Sequence, residues 1–378
     1  MLKIHTSTSS LLTISLLATM QLAATTHANA GGRLALNDDA FIDINLGLKT
    51  SVAYIENKAP NATDNDLNFD LESARFYLSG QLFKNVTFEF TTDYSNYGDA
   101  DNNSDVQLLD ASVNYQFSEQ LNVKAGRFIR PMDRSNQAGP YFSNTWDYPV
   151  IAAINGIAPI IAGRDEGVVV WGYTEGGKFK YYGGIFEGVK GASPHSSSPL
   201  LTTRLEYNFW DPEPGYYSAN AHYGDANIFA LGFNYHTQDN AVSADNKTDS
   251  VTTTSVDLLI EKVLGNEGVV TLEAAFYDYD YSELSALQGD AYLVSTSYLF
   301  PASSPSANRY QILARHQRFN HDDTFPSVVA DSYNQRNEVG LNYIIKGHSA
   351  KLSLVYANEK IEGGDNNVLR FGVQLQTF

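Results

Sequence analysis

The chain has 378 residues, a formal charge of −18 and no cysteine. Disulfides therefore play no part in its stability, and so acidic a chain lacks the bases that binding to nucleic-acid phosphates requires. It carries 24 Tyr and 20 Phe, more aromatic surface than an acidic, Asn- and Gly-rich chain needs for a core, yet beyond the N-terminal segment no stretch is apolar over the ~18 residues of a spanning helix.

At the N-terminus Lys3 supplies a positive start, Leu11 to Leu22 a short apolar run diluted by Ser and Thr, and Ala28-Asn29-Ala30 a small-x-small site. This pattern predicts a signal peptide over 1–30, cleaved near Ala30, with a mature chain over 31–378.

Alternation of period two begins at Phe41. Ile42, Ile44, Leu46, Leu48, Val52 and Tyr54 share one face; Asp43, Asn45, Lys49 and Ser51 share the other. Phe88, Phe90 and Tyr94 then oppose Glu89, Thr91 and Asp93, and Val113, Tyr115 and Phe117 oppose Ser112, Asn114 and Gln116. Similar runs recur through Leu231–Tyr235, Val339–Ile345 and Leu352–Tyr356 to Leu369–Leu375. Charged and long polar side chains on the second face suit a watery lumen rather than a packed core, so the greasy face is expected to meet lipid.

Counting the runs gives an all-β fold: a transmembrane antiparallel β-barrel of about sixteen strands. The connections support it by alternating long and short, as extracellular loops and periplasmic turns do. Asn57–Leu67, Asn96–Asp105, Pro131–Glu166, Gly188–Leu201, Thr237–Ser250 and Asn320–Gln335 are long; Lys84-Asn85, Ser118-Glu119 and Gly347-His348 are tight. Asp211–Asp225 and Phe300–Asn308 break the rule as overlong periplasmic turns. At the end of the chain the apolar parity slips by one before Phe378, and a bulge near Gln376 would account for it.

The connection over about 131–166 exceeds ordinary loop length and is rich in bulky apolar groups: Tyr141, Phe142, Trp146, Tyr148, Val150, Ile151, Ile154, Ile157, Ile160 and Ile161. Such a segment must pack on something, and the inner wall is the nearest surface, so an inward-folded constriction loop is expected. Around it lie Lys124, Arg127, Arg130, Asp133, Arg134, Asp147, Arg164, Asp165 and Glu166, the candidate lining of the constriction. Two readings stand side by side. Arg130, Arg134 and Arg164 pair with Asp133, Asp147 and Asp165 to pin the loop, or the guanidinium groups face passing anions.

The run GRFIRPMDRSNQAGPYFSNTWDYP from Gly126, followed by AGRDEGVVVWG from Ala162, resembles the phosphate-selective porin O/P family, closest to its short-chain-amide-porin-like members. WDPEPGYY from Trp210 resembles a second element of that family. The resemblance implies a trimer of sixteen-stranded barrels whose third extracellular loop narrows each pore, with an arginine ladder in the phosphate-selective members. Here Arg75, Arg204, Arg309, Arg315, Arg318, Arg336 and Arg370 are sparse, and lumenal Glu89, Asp93, Asp110, Glu261 and Glu273 dilute them.

No other motif carries chemistry. Asp99–Asp105 opens like a calcium loop but lacks the Gly and Glu such loops need; it reads as a solvated acidic loop, as do Asp64-Asn65-Asp66 and Asp365-Asn366-Asn367, which could bridge lipopolysaccharide through divalent ions. His195 beside Ser196, Ser197 and Ser198 has no nucleophile elbow or positioned acid, so no catalytic residue, metal site or cofactor is expected. The sequence thus predicts an outer-membrane porin passing small hydrophilic solutes or ions, with outer-membrane lipid, lipopolysaccharide and sister subunits as partners. The alternatives are a plugged barrel serving binding, adhesion or phage reception, and a barrel hydrolase.

Overall fold

The computed structural model describes residues 31–57, 64–95, 105–149, 151, 163–189, 198–244, 247–281, 288–304, 308–321, 335–361 and 364–378. The segment 1–30, the acidic stretch 96–104, His195 to Ser197, and Val150, Ile154, Ile157, Ile160 and Ile161 lie outside the described residues.

The elements in chain order are β1 (Gly32–Asn37), β2 (Ala40–Ile55), β3 (Asp66–Phe83), β4 (Val86–Ser95), β5 (Asp105–Ser118) and β6 (Leu121–Ile129). A short helix α1 (Arg134–Ala138) precedes β7 (Arg164–Thr174), β8 (Phe179–Phe186), β9 (Leu200–Asn208), β10 (Ile228–Ala244) and β11 (Lys247–Val263). Then come β12 (Val269–Asp280), β13 (Gly289–Leu299), β14 (Arg309–His321), β15 (Gln335–Lys346), β16 (Ala350–Ile361) and β17 (Gly364–Gln376).

Each strand from β2 to β17 pairs antiparallel with the next, and β17 returns to pair with β2, closing a sixteen-strand barrel. Closure removes the open sheet edge that lipid would not tolerate. The alternation of the sequence becomes an inversion of polarity. On β10, Leu231 (44% exposed), Phe233 (42%) and Tyr235 (40%) point outward, whereas Asn234, His236 and Gln238 (1% each) point into the barrel. Outward aromatic pairs ring the short-turn end: Tyr115–Phe117 at 4.5 Å, Phe209–Phe229 at 4.5 Å, Tyr298–Phe300 at 4.9 Å and Tyr310–Tyr343 at 5.0 Å. Such amphipathic rings belong at a membrane–water boundary. At the other end a polar row, His316–Asn337–Asn358–Asn367, crosses four neighbouring strands in register and borders the apolar belt.

Short-turn connections are tight because their chemistry permits it: Asn85 takes a left-handed φ of 70° in the two-residue link between β3 and β4. Three sequence expectations change. The connection Thr237–Ser250 is mostly ladder, since β10 and β11 continue to the Ala244–Lys247 pair; the Val- and Thr-rich alternation of this stretch outweighs its Asp and Asn. The overlong turn after β9 is not a loose periplasmic loop, because its Tyr216, Ser218, Asn220 and Ala221 are buried in the barrel. The parity slip before Phe378 is not a bulge, because β17 holds register with β16 to Leu375 and with β2 to Gln376.

That last point traces to β1, which lies outside the ring. Gln376 pairs with Gly47 of β2, and a little further along the same edge Gly32 of β1 pairs with Ile44. The ledge that a longer last strand would use is thus occupied. Past the end of β17 the Phe378 ring lies against inward-facing Tyr77, edge-on at 4.7 Å, and near Phe142 at 6.1 Å.

Candidate pore constriction

After Ile129 the chain leaves the wall and turns into the lumen. Just before, inside β6, Gly126 has a φ of +122° and a Cβ there would sit 2.2 Å from the Ala111 carbonyl oxygen; pairing with β5 ends one residue later, at Arg127 opposite Ala111. Asp133 caps α1, accepting from the Asn136 backbone N–H at 3.2 Å, and also accepts from the Tyr277 hydroxyl at 2.9 Å across the lumen. All five α1 residues are buried.

An irregular segment can be buried only if its carbonyls find donors, and the inner wall supplies them. Lys49 donates to the Trp146 carbonyl at 2.8 Å, Lys351 to Ser143 at 2.7 Å, Asn342 to Asn144 at 2.8 Å and Gln374 to Tyr141 at 3.0 Å. The indole of Trp146 donates to Glu72 at 2.8 Å. Tyr141, Trp146, Tyr148 and Ile151 are all buried, so these described apolar groups of the segment pack inside the barrel.

Arg134 reaches toward the opposite end of the barrel. It holds Glu213 in a fork, Nη2 to Oε2 at 2.6 Å and Nη1 to Oε1 at 3.0 Å, and donates to the Ala219 carbonyl at 2.7 Å. Glu213 belongs to the segment between β9 and β10, which enters from the short-turn end. Further contacts join the two intrusions: Asn220 N–H to the Phe142 carbonyl at 3.1 Å, and the Tyr216 hydroxyl to the Ile129 carbonyl at 2.9 Å. His348 lies between them, with Nδ1 3.1 Å from the Tyr141 carbonyl and Nε2 2.8 Å from that of Ala221. Burial alone would raise the Glu213 carboxyl, but the charge and hydrogen bonds of Arg134 and a bond to His222 hold it at about 2. Burial pushes His348 down to about 4, against the pull of the two carbonyls.

The predicted charge cluster sorts into three groups. Arg130 pairs with Asp165 at 3.8 Å, both fully buried. Arg134, Arg164 and Asp147 find partners outside the expected set: Arg134 takes Glu213, Arg164 takes Asp110 at 2.9 Å, and Asp147 bridges Arg370 at 2.6 Å and Arg336. Asp147 is held below the usual carboxylate range, because the Arg336 and Arg370 charges override the burial that opposes ionisation. Lys124 faces the lumen, bonded to Glu89 at 2.8 Å and the Tyr217 hydroxyl at 3.0 Å. Arg127 and Glu166 form the third group. They are direct cross-strand partners and pair with each other, and Glu166 shares the outward parity of exposed Val168 and Val170. These two lie on the outer face, not on the lumenal wall.

Sequence reasoning missed the partners that matter most: Glu213, Glu206, Glu72, Glu338 and Asp257. Four of them sit on or beside the inward parity of their strands, which was a usable signal; Glu213, flanked by Pro212 and Pro214 in an overlong turn, was the other. Asp165, Glu166 and Glu187 bring carboxylate oxygens within 4.8 Å of one another, but both Asp165 oxygens already accept backbone N–H groups. Between the loop and the β3–β5 wall a cavity of about 380 Å³ stays open, lined by Arg75, Glu89, Asp110, Arg164, Tyr141 and Tyr217 among others.

The family described as phosphate-selective porin O and P matches residues 42–258. No curated protein matches the sequence. Among solved structures, OprB of Pseudomonas putida is similar at 13% identity and TM-score 0.62, over 89% of this chain and 94% of that one. The outer membrane channel DcaP of Acinetobacter baumannii is similar at 13% identity and TM-score 0.58, over 91% and 99%. OmpF of Salmonella typhi, solved with daunomycin, is similar at 12% identity and TM-score 0.57, over 91% and 100%. At such identities these likenesses speak to the barrel fold.

Proposed function

Because the chain belongs to the phosphate-selective porin O and P family, we propose that it works as a diffusion pore with weak charge selectivity, narrowed by residues 131–166. The chain is an outer-membrane channel for small solutes, and its family and fold point to a channel rather than to an enzyme. One observation carries the finer reading: seven lumenal guanidinium groups are paired with carboxylates in place. Arg75 is bonded to Asp93, Arg134 to Glu213, Arg164 to Asp110, Arg204 to Asp257, Arg315 to Glu338, Arg336 to Glu359 and Arg370 to Glu72. A ladder of paired charges creates transverse fields but little net attraction for either sign of ion.

The test is the reversal potential of the purified protein in a planar bilayer under a salt gradient. Near-equal permeability of cation and anion is expected. Strong anion preference, abolished by Arg134→Ala, would overturn the reading. A second reading, a plugged barrel for binding or phage reception, draws on the meeting of loop and turn segment inside the lumen; a folded barrel without any conductance would establish it.

The proposal includes removal of residues 1–30, assembly as a homotrimer, and contact with lipopolysaccharide. N-terminal sequencing of the membrane-extracted protein should begin at Gly31, and unheated gels should show a detergent-resistant trimer.

A further inference from the structure

The open cavity faces both signs of charge at once, and it does so with groups that retain bonding capacity. Arg75 uses Nε and Nη2 on Asp93, at 3.0 and 2.7 Å, and Arg164 uses Nε and Nη2 on Asp110, at 2.9 and 3.2 Å. Glu89 accepts from Lys124 and Tyr217 through Oε2 alone. Among the described residues, the two Nη1 groups and Glu89 Oε1 have no hydrogen-bond partner. Around them stand the rings of Tyr141 and Tyr217. The volume, about 380 Å³, lies at the lower end of the range for small-molecule sites.

We propose that this cavity is the solute path and that it favours small zwitterions with an apolar body. A lone ion meets attraction from one member of each pair and repulsion from the other. A molecule carrying an ammonium and a carboxylate can address both together, placing the ammonium toward Glu89 and the carboxylate toward the open edges of Arg75 and Arg164, as charge-assisted hydrogen bonds. Its apolar part then lies on the aromatic rings. Because the protein charges are already fixed by their partners, little reorganisation opposes the passage. The inference rests on the diffusion-pore reading and adds the class of solute.

The experiment compares swelling of protein-loaded liposomes in L-valine and in erythritol, two solutes of similar size and low bilayer permeability. Valine is expected to enter about tenfold faster, the discrimination that one charge-assisted hydrogen bond gives. Glu89→Gln and, separately, Arg164→Lys should bring the ratio toward one, while Arg127→Gln on the outer face leaves it unchanged. Equal rates in the unmodified protein, with erythritol passing, would overturn the inference and leave the diffusion pore standing. A ratio preserved in both lumenal variants, with the barrel folded by its gel shift, would overturn it too. Passage of neither solute, with no conductance, would remove the diffusion-pore reading itself.

Discussion

Arg134 and Glu213 enter the barrel from opposite ends and meet in a buried fork, Nη2 to Oε2 at 2.6 Å. The pair is the charged link between two chain segments that also meet through the Asn220 N–H on the Phe142 carbonyl and the Tyr216 hydroxyl on the Ile129 carbonyl. Removing one member of a buried ion pair leaves the other charge uncompensated, at a cost of about 3–5 kcal/mol. Arg134→Ala should therefore loosen the contact between the two intrusions, raising single-channel conductance and current noise. Glu213→Gln, which keeps an acceptor for Arg134, should produce a smaller change in the same direction. Unchanged conductance in both variants would refute the idea that this pair sets the width.

Asp147 offers a second handle on the same segment. It lies between Arg336 and Arg370, which project from β15 and β17, so Asp147→Ala should free residues 141–149 from that wall. Accelerated proteolysis between Pro140 and Pro149 in detergent-solubilised protein would register the release, and unaltered protease resistance would count against it.

Acid should act through His348 before it acts through Glu213. The buried His348 ring is held at about 4, below its ordinary 6.5, so the folded state resists its protonation. The associated stability is complete above about pH 6.5 and declines as pH falls toward 4. For Glu213, held at about 2 against an ordinary 4.5, stability is complete above 4.5 and is lost only as pH falls toward 2. Thermal unfolding of the solubilised barrel should thus weaken between pH 7 and 4.5, and His348→Gln should flatten that dependence. An equal slope in the variant would show that other groups carry it.

The outer face makes its own prediction. Phe233 lies between the aromatic ring at the short-turn end and Tyr235, so Phe233→Arg should destabilise the folded barrel in lipid by about 2–4 kcal/mol. Arg127→Gln, at the partly exposed outward pair with Glu166, should cost no more than about 1 kcal/mol. Urea unfolding in lipid vesicles measures both; a tolerated Phe233→Arg would mean that this face does not meet acyl chains.

Much of the fold could be read from period two alone. Leu231, Phe233 and Tyr235 against Asn234 and His236 announce which face is wet without any knowledge of the partner strands. The inward path of Tyr141 and Trp146 followed from simple aversion to water. Pairing was less legible, because an arginine's partner is chosen by strand register and by segments arriving from far along the chain. Arg134 and Glu213 are 79 positions apart, and nothing local distinguishes Glu213 from Asp133 as the partner. Arg127 was misplaced for a smaller reason: one step of parity separates it from Phe128, which does face inward.

The end-to-end arrangement of β1 and β17 along β2 has a practical consequence for anyone handling this molecule. An affinity tag or reporter joined directly before β1 or directly after β17 would crowd the same rim, beside the seam on which cylinder closure depends. Labels are better inserted in a surface connection at the far side, where no wall-forming ladder competes for the space.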